Sequence, residues 1–138
     1  MVWCYNRWNV ADPFGTKIGY LTDDVGSHYG DLTVWSFSTP IIYNAGKGVQ
    51  VHELELVALT GDVAIDDDPV IASQYSLDGE RWSQPRYIRA GRKGELSKRL
   101  VWDRQGTFTN WRIQRFSGDS RAHIAFARLE AEMEMLAR

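Results

Sequence analysis

The sequence predicts an all-β fold: an antiparallel β-sandwich, jelly-roll-like, with a strand-rich N-terminal arm. Three observations predict it. Apolar residues alternate with polar ones at period two through most of the chain, where a helix would repeat them every third or fourth position. Clusters of Gly, Asp, Asn and Pro interrupt these runs at short intervals. Aromatic residues, which pack well on pleated surfaces, make up 12% of the chain. The 138 residues suffice for one domain with its own core, and a composition 43% apolar and 25% charged excludes disorder. Cys4 is the single cysteine, which excludes an internal disulfide framework and a zinc site built on a cysteine pair. No apolar run reaches the ~18 residues of a membrane-crossing helix, and Met1 to Arg7 lacks the layout of a signal peptide, so no membrane partner is expected.

Residues 16–21 and 32–37 read as the first strands, bounded by the turn-forming runs Asp12-Pro13-Phe14-Gly15 and Asp23-Asp24-Val25-Gly26. At Thr39-Pro40 a Tyr/Gly/Asp-rich stretch gives way to cleaner strands. Residues 1–40 are therefore assigned to an arm or incomplete strand unit, and 41–138 to the sandwich domain. Beyond the turn Asn44-Ala45-Gly46-Lys47-Gly48, Val49 and Val51 share a strand face, but the apolar phase then moves to Leu54 and Leu56, with Glu53 and Glu55 opposite. Either a β-bulge sits at His52-Glu53 or the strand is buried on both faces there. Residues 70–76, 86–90, 98–104, 110–116 and 123–128 follow as strands, parted by Asp78-Gly79, the Gly91–Gly94 segment, Gln105-Gly106 and Ser117-Gly118-Asp119. In 110–116, Trp111, Ile113 and Arg115 share one face and Arg112 and Gln114 the other, which reads as buried Trp and Ile beneath a solvated Arg face. At the end, Leu129, Ala131, Met133 and Met135 alternate with Glu130, Glu132 and Glu134. Local propensity there favours helix, but only a strand gathers the three glutamates on one face.

Residues with catalytic potential do not assemble into a recognisable motif. His28, His52 and His123 lie in three separate segments without metal-ligand spacing. Asp66-Asp67-Asp68-Pro69 lacks the alternating oxygen ligands of a calcium loop and reads as an exposed acidic turn. Ser27 has no nucleophile elbow, and Gly91-Arg92-Lys93-Gly94 lies between strands, with no helix to hold a phosphate. No enzyme, cofactor or metal is expected. The stretch from Tyr75 to Ser83 is more informative: Ser76 and Asp78 would tie an Asp-Gly turn, with Trp82 over its base. It resembles the Asp-box turn of β-propellers and sialidases, although no residue separates Asp78 from Gly79 as that pattern requires.

Net charge is −2, but the total conceals a partition. Residues 1–80 hold 3 basic and 12 acidic side chains, whereas residues 81–115 hold 10 basic and 2 acidic ones. Arginines outnumber lysines in that block by 8 to 2, which favours planar, bidentate pairing with carboxylate or phosphate. A solvated face, a partner interface and direct DNA contact are its three readings, in that order. Basic residues interleaved with aromatics suit single-stranded nucleic acid as well, so DNA contact stays open but is not favoured.

Three stretches taken in order carry a resemblance. They are Ile18-Gly19-Tyr20-Leu21 with Ser27-His28-Tyr29-Gly30; Thr39-Pro40-Ile41-Ile42-Tyr43-Asn44 with the run from Val51 to Gly61; and Tyr75 to Ser83 with Gly91–Gly94, Lys98-Arg99-Leu100, Arg104-Gln105-Gly106 and Asn110 to Phe116. The chain resembles the C-terminal region of the packaged-DNA stabilisation proteins, the tail hub of short-tailed P22-like phages. The resemblance implies a longer protein with a β-propeller-like body ahead of this region. It also implies a homohexameric ring in the virion, below the portal and adaptor, that closes the DNA exit and attaches tail needle and tailspikes. It implies no catalysis. A ring subunit needs unlike surfaces meeting head to tail, so Arg89, Arg92, Lys93, Lys98 and Arg99 are expected to face an acidic neighbour or tail partner. The alternative is a carbohydrate-binding β-sandwich with exposed Trp and Tyr as sugar platforms, and a sialidase-like enzyme fragment ranks third.

Overall fold

A computed structural model describes residues 1–138 as thirteen strands without a helix. The first five strands form the arm. Strands β1 (Val2–Cys4), β2 (Arg7–Ala11) and β3 (Ile18–Tyr20) make an antiparallel meander, and β4 (Ser27–His28) pairs with β5 (Asp31–Leu32). Between β1 and β2, Tyr5 and Asn6 both take positive φ (53° and 57°), the geometry of a tight hairpin turn whose twist matches that of its strands.

The remaining strands are β6 (Trp35–Ser38), β7 (Ile42–Tyr43), β8 (Val49–Asp62), β9 (Val70–Ser76), β10 (Arg86–Arg89), β11 (Leu100–Phe108), β12 (Trp111–Gly118) and β13 (His123–Met135). They build two antiparallel layers. One sheet runs β10-β9-β12-β6, with β7 also on β12, and the other runs β11-β8-β13. Between them Leu56, Ile71, Leu100, Trp102 and Phe116 form one buried cluster, and Val49, Val51, Leu54 and Phe108 a second. The first cluster draws on both sheets, the second on β8 and β11 with Ile42 of β7 packed against it, and the result is the predicted β-sandwich. Trp35–Ser38 pairs with Arg115–Gly118, so the sandwich sheet takes in a strand from ahead of Thr39-Pro40.

The phase change in β8 is a bulge. On β13, Glu132 and Met133 are neighbours, but their partners are Glu53 and Val51, so His52 is the extra residue. That one residue lets Val49 and Val51 face the same core as Leu54 and Leu56. On the other side β11 answers with its own irregularity: Asp103 pairs Glu53 and Gly106 pairs Val51. Gln105-Gly106, predicted as a turn, is therefore a bulge inside one continuous strand. Positive φ at Arg104 (51°) and Gly106 (78°) accommodates it. The two predicted segments after residue 123 likewise merge into the single strand β13, with the three glutamates on one face.

Strand β12 is inverted relative to expectation. Arg112, Gln114 and Phe116 point inward and are buried, whereas Trp111, Ile113 and Arg115 lie half-buried on the outside. Alternation identifies which residues share a face, and the presence of arginine misidentified which face is wet. Arg112 is accepted inside because its donors are satisfied: Nη1 donates to the Gln105 carbonyl (2.7 Å), and Nη2 to Gln105 Oε1 (2.9 Å) and Gln114 Oε1 (2.8 Å). Gln114 in turn donates to Ser73 Oγ at 2.6 Å, and Tyr75 lies under the guanidinium at 4.2 Å.

Candidate functional site

The basic block meets the chain's own acids. Arg89 Nε and Arg92 Nη2 approach the same oxygen, Asp68 Oδ2, at 3.4 and 3.2 Å. Asp68 thus turns inward from the acidic turn as a counter-ion, and its other oxygen, Oδ1, is buried without a hydrogen-bond partner. The Arg92 amide donates to Glu95 Oε2 at 2.6 Å, and Lys98 Nζ stands 3.9 Å from the same oxygen. Arg99 spans Glu55 (2.5 Å) and Glu53 (3.5 Å) on β8. Its hydrogen bond holds the Glu55 carboxyl below the ordinary carboxylate range, and the same pair raises Arg99. Of the five residues expected to face a partner, Lys93 alone forms no salt bridge. Arg81, Arg104 and Arg115 of the same block also form none within the chain. Exposed pairs of this kind add little stability, so their effect is mainly to set the surface potential.

The sheet β11-β8-β13 carries an acidic outer face that charge counting along the chain did not show. Register places Glu130 directly opposite Glu55 and Glu132 opposite Glu53, with Glu134 beyond them. Like charges across a strand pair repel. Arg99 and the Arg128–Glu130 pair offset part of this, and His52 lies 3.7 Å from Glu134. The glutamate alternation was readable in the sequence; the partner strand's register was not.

The five-stranded sheet carries an aromatic outer face. Trp111 lies directly opposite Tyr43, which is 68% exposed, and Tyr87 on β10 is 66% exposed on the same side. Between them the Arg115 guanidinium rests 3.8 Å from the Trp82 ring centroid and donates to Gln74 Oε1 at 3.0 Å. Trp82 thus covers Arg115. The Asp-Gly turn is tied as expected: Gly79 N–H donates to Ser76 Oγ (2.8 Å), and the amides of Glu80 and Arg81 donate to Asp78 Oδ1 (2.9 and 2.7 Å). Those two amides hold the Asp78 carboxyl below its ordinary range.

No residue from Met1 to Lys47 is buried. In the arm Trp3 and Trp8 touch edge to face at 5.2 Å, Arg7 covers the Tyr20 ring at 4.4 Å, and Tyr29 Oη donates to the Val10 carbonyl at 3.2 Å. A groove of ≈ 510 Å³ runs between β3 and the β4–β5 hairpin, lined by Val10, Ile18, Tyr20, His28 and Tyr29 among others. The histidines lie apart. His123 Nδ1 is 3.0 Å from Asp62, His52 faces Glu134, and His28 packs edge-on against Tyr29.

No curated protein is significantly similar to the chain. A family model described as bacteriophage P22 Gp10, β-sandwich, matches residues 34–134. These limits coincide with the sandwich, from one residue ahead of β6 to one residue short of the end of β13. On that match, spanning about three quarters of its length, the chain belongs to the P22 Gp10 β-sandwich family, a family of phage structural proteins.

Proposed function

We propose that the chain serves in the tail hub of a short-tailed phage, where it helps close the portal exit, retains packaged DNA, and joins portal and adaptor to tail needle and tailspikes. Membership in the P22 Gp10 family, over the residues that form the sandwich, carries this reading. The surfaces support it. An acidic sheet face, an aromatic face with Arg115 and an uncovered arm give one subunit several unlike contact surfaces, as a homohexameric ring with different neighbours above and below requires. The role is structural and not catalytic, and the location is the virion. Of the five cations expected at the interface, Lys93, next to the Asp68-bound Arg92, is the one without a carboxylate partner in the chain and so is free to meet an acidic neighbour. Particles assembled without the chain are expected to package DNA and then lose it, read as DNA that becomes nuclease-sensitive, and to lack needle and spikes. Particles that keep both DNA and complete tails without it would overturn the proposal.

A second reading, a carbohydrate-binding sandwich, has one observation in its favour: Tyr43 and Tyr87 stand exposed on the same sheet face. It predicts glycan binding by the isolated chain that is lost on Tyr43→Ala, whereas a hub subunit gives no signal on a glycan array.

A further inference from the structure

Strand β13 ends the β11-β8-β13 sheet, and no strand pairs with its outer edge. From Arg128, opposite Val57, to Met135, opposite Val49, every residue of β13 has a partner on β8. This unbroken stretch is roughly 26 Å long at the usual rise of an extended chain. In an antiparallel pair, alternate residues turn both N–H and C=O away from the partner strand. None of the backbone hydrogen bonds outside the sheets involves this stretch. Native edges are commonly blunted by proline, lysine or a bulge. The bulged residue of β13, Ala127, lies just ahead of the stretch, which contains neither proline nor lysine.

The two faces of the edge define what an added strand must carry. On the outer face stand Glu130, Glu132 and Glu134. Arg128 pairs with Glu130 and His52 lies 3.7 Å from Glu134, whereas Glu132 forms no salt bridge. Behind them on β8, Arg99 is already held by Glu53 and Glu55. On the inner face Leu129 and Met133 are half-buried. Ala131 between them is exposed, although its partner across the pair, Leu54, is buried in the core. The second sheet therefore stops short of this part of the edge. It covers Phe126, where the Trp35 and Phe37 rings pack at 4.9 and 5.2 Å, but Ile41, just ahead of β7, is 54% exposed. An added strand lays one set of alternate side chains beside the glutamates and the other beside Leu129, Ala131 and Met133. It must alternate basic with apolar residues.

These requirements exclude other occupants. A second copy of β13 would set glutamates beside glutamates, and like charges across a strand pair repel. The basic edge strand of the other sheet, β10, has Arg86 and Arg89 on opposite faces, held by Asp103 and Asp68. Nucleic acid carries the wrong charge. We propose that the outer edge of β13, between Arg128 and Met135, captures an extended segment of a partner protein as an added strand, with Lys or Arg at alternate positions and apolar side chains between them. Backbone hydrogen bonds hold the segment, and Glu130, Glu132 and Glu134 select its sequence. The inference goes beyond the tail-hub reading and does not depend on it.

Titration of the whole chain with a short blocked peptide that alternates lysine with valine tests this. Binding is expected, with amide shifts in NMR spectra concentrated on Arg128 to Met135. The same peptide methylated on every backbone nitrogen keeps its charge but cannot donate to the edge, and is expected not to bind. E130Q/E132Q/E134Q, shown by thermal melts to be folded, is expected to bind the unmethylated peptide about tenfold more weakly, as the loss of three cross-strand charge pairs implies. No binding of the lysine–valine peptide, equal binding of its methylated form, full affinity in the glutamine variant, or shifts confined to other strands would each overturn the proposal. None of these outcomes bears on DNA retention by particles, which decides the hub reading separately.

Discussion

Arg112 is 2% exposed, lies between the two sheets, and has only neutral groups as hydrogen-bond partners. Burial pushes its pKa down to about 10, so at neutral pH the core holds a cation whose cost is offset by four hydrogen bonds and the Tyr75 ring. Arg112→Met is expected to destabilise the domain by about 3 kcal/mol in denaturant unfolding, since it orphans the Gln105 and Gln114 oxygens at roughly 1–3 kcal/mol each. The double variant R112M/Q114L should recover part of that loss, the mark of a shared network. Asp78 gives a pH-dependent counterpart. Its pKa is lowered in the fold by the amides of Arg81 and Glu80, so its contribution is present above the ordinary value of 3.8 and is lost as pH falls through the lowered one. Asp78→Asn keeps an acceptor for both amides but cannot titrate. Thermal melts of the variant should therefore fall less steeply than wild type below pH 3.8. The Ser76–Asp78 turn was legible in the sequence because its bonds are local. The Arg112 network was not, because Gln105 and Ser73 reach it from other strands.

At the scale of elements, strand positions followed from alternation and turn residues, and errors arose where a glycine marked a bulge instead of a turn. Gly61 and Gly106 separate two effects that a sequence does not. Both have positive φ, 81° and 78°. A Cβ on Gly106 would meet nothing within 4 Å, whereas one on Gly61 would lie 2.8 Å from the Glu95 backbone. Gly106→Ala is expected to cost about 1–2 kcal/mol from backbone conformation alone. Gly61→Ala should cost more, because the segment bearing Glu95, the partner of Arg92 and Lys98, must move as well; unfolding curves of the two variants check the order. The inverted face of β12 has a similar origin. Period two fixes pairs of faces, and only the packing of Phe116 against Trp102 decides which one turns inward.

For the whole molecule, the partition into an acidic N-terminal part and a basic block was visible in the sequence and pointed to assembly surfaces. Folding brings much of it together: Asp68 meets Arg89 and Arg92, and Glu53 and Glu55 meet Arg99. What folding leaves uncovered is a different set: the aromatic arm, the aromatic sheet face, Glu132 on the β8–β13 face, and the unpaired cations Arg81, Lys93 and Arg104. Linear charge counting cannot separate cations paired inside a chain from those free to pair outside it, because the distinction depends on strand register. The tail-hub role is tested most directly by quantitative mass spectrometry of purified, nuclease-treated phage particles. The predicted result is that the chain's peptides co-purify with the portal protein at a fixed ratio corresponding to one six-membered ring per particle; their absence from intact, DNA-filled particles would contradict it.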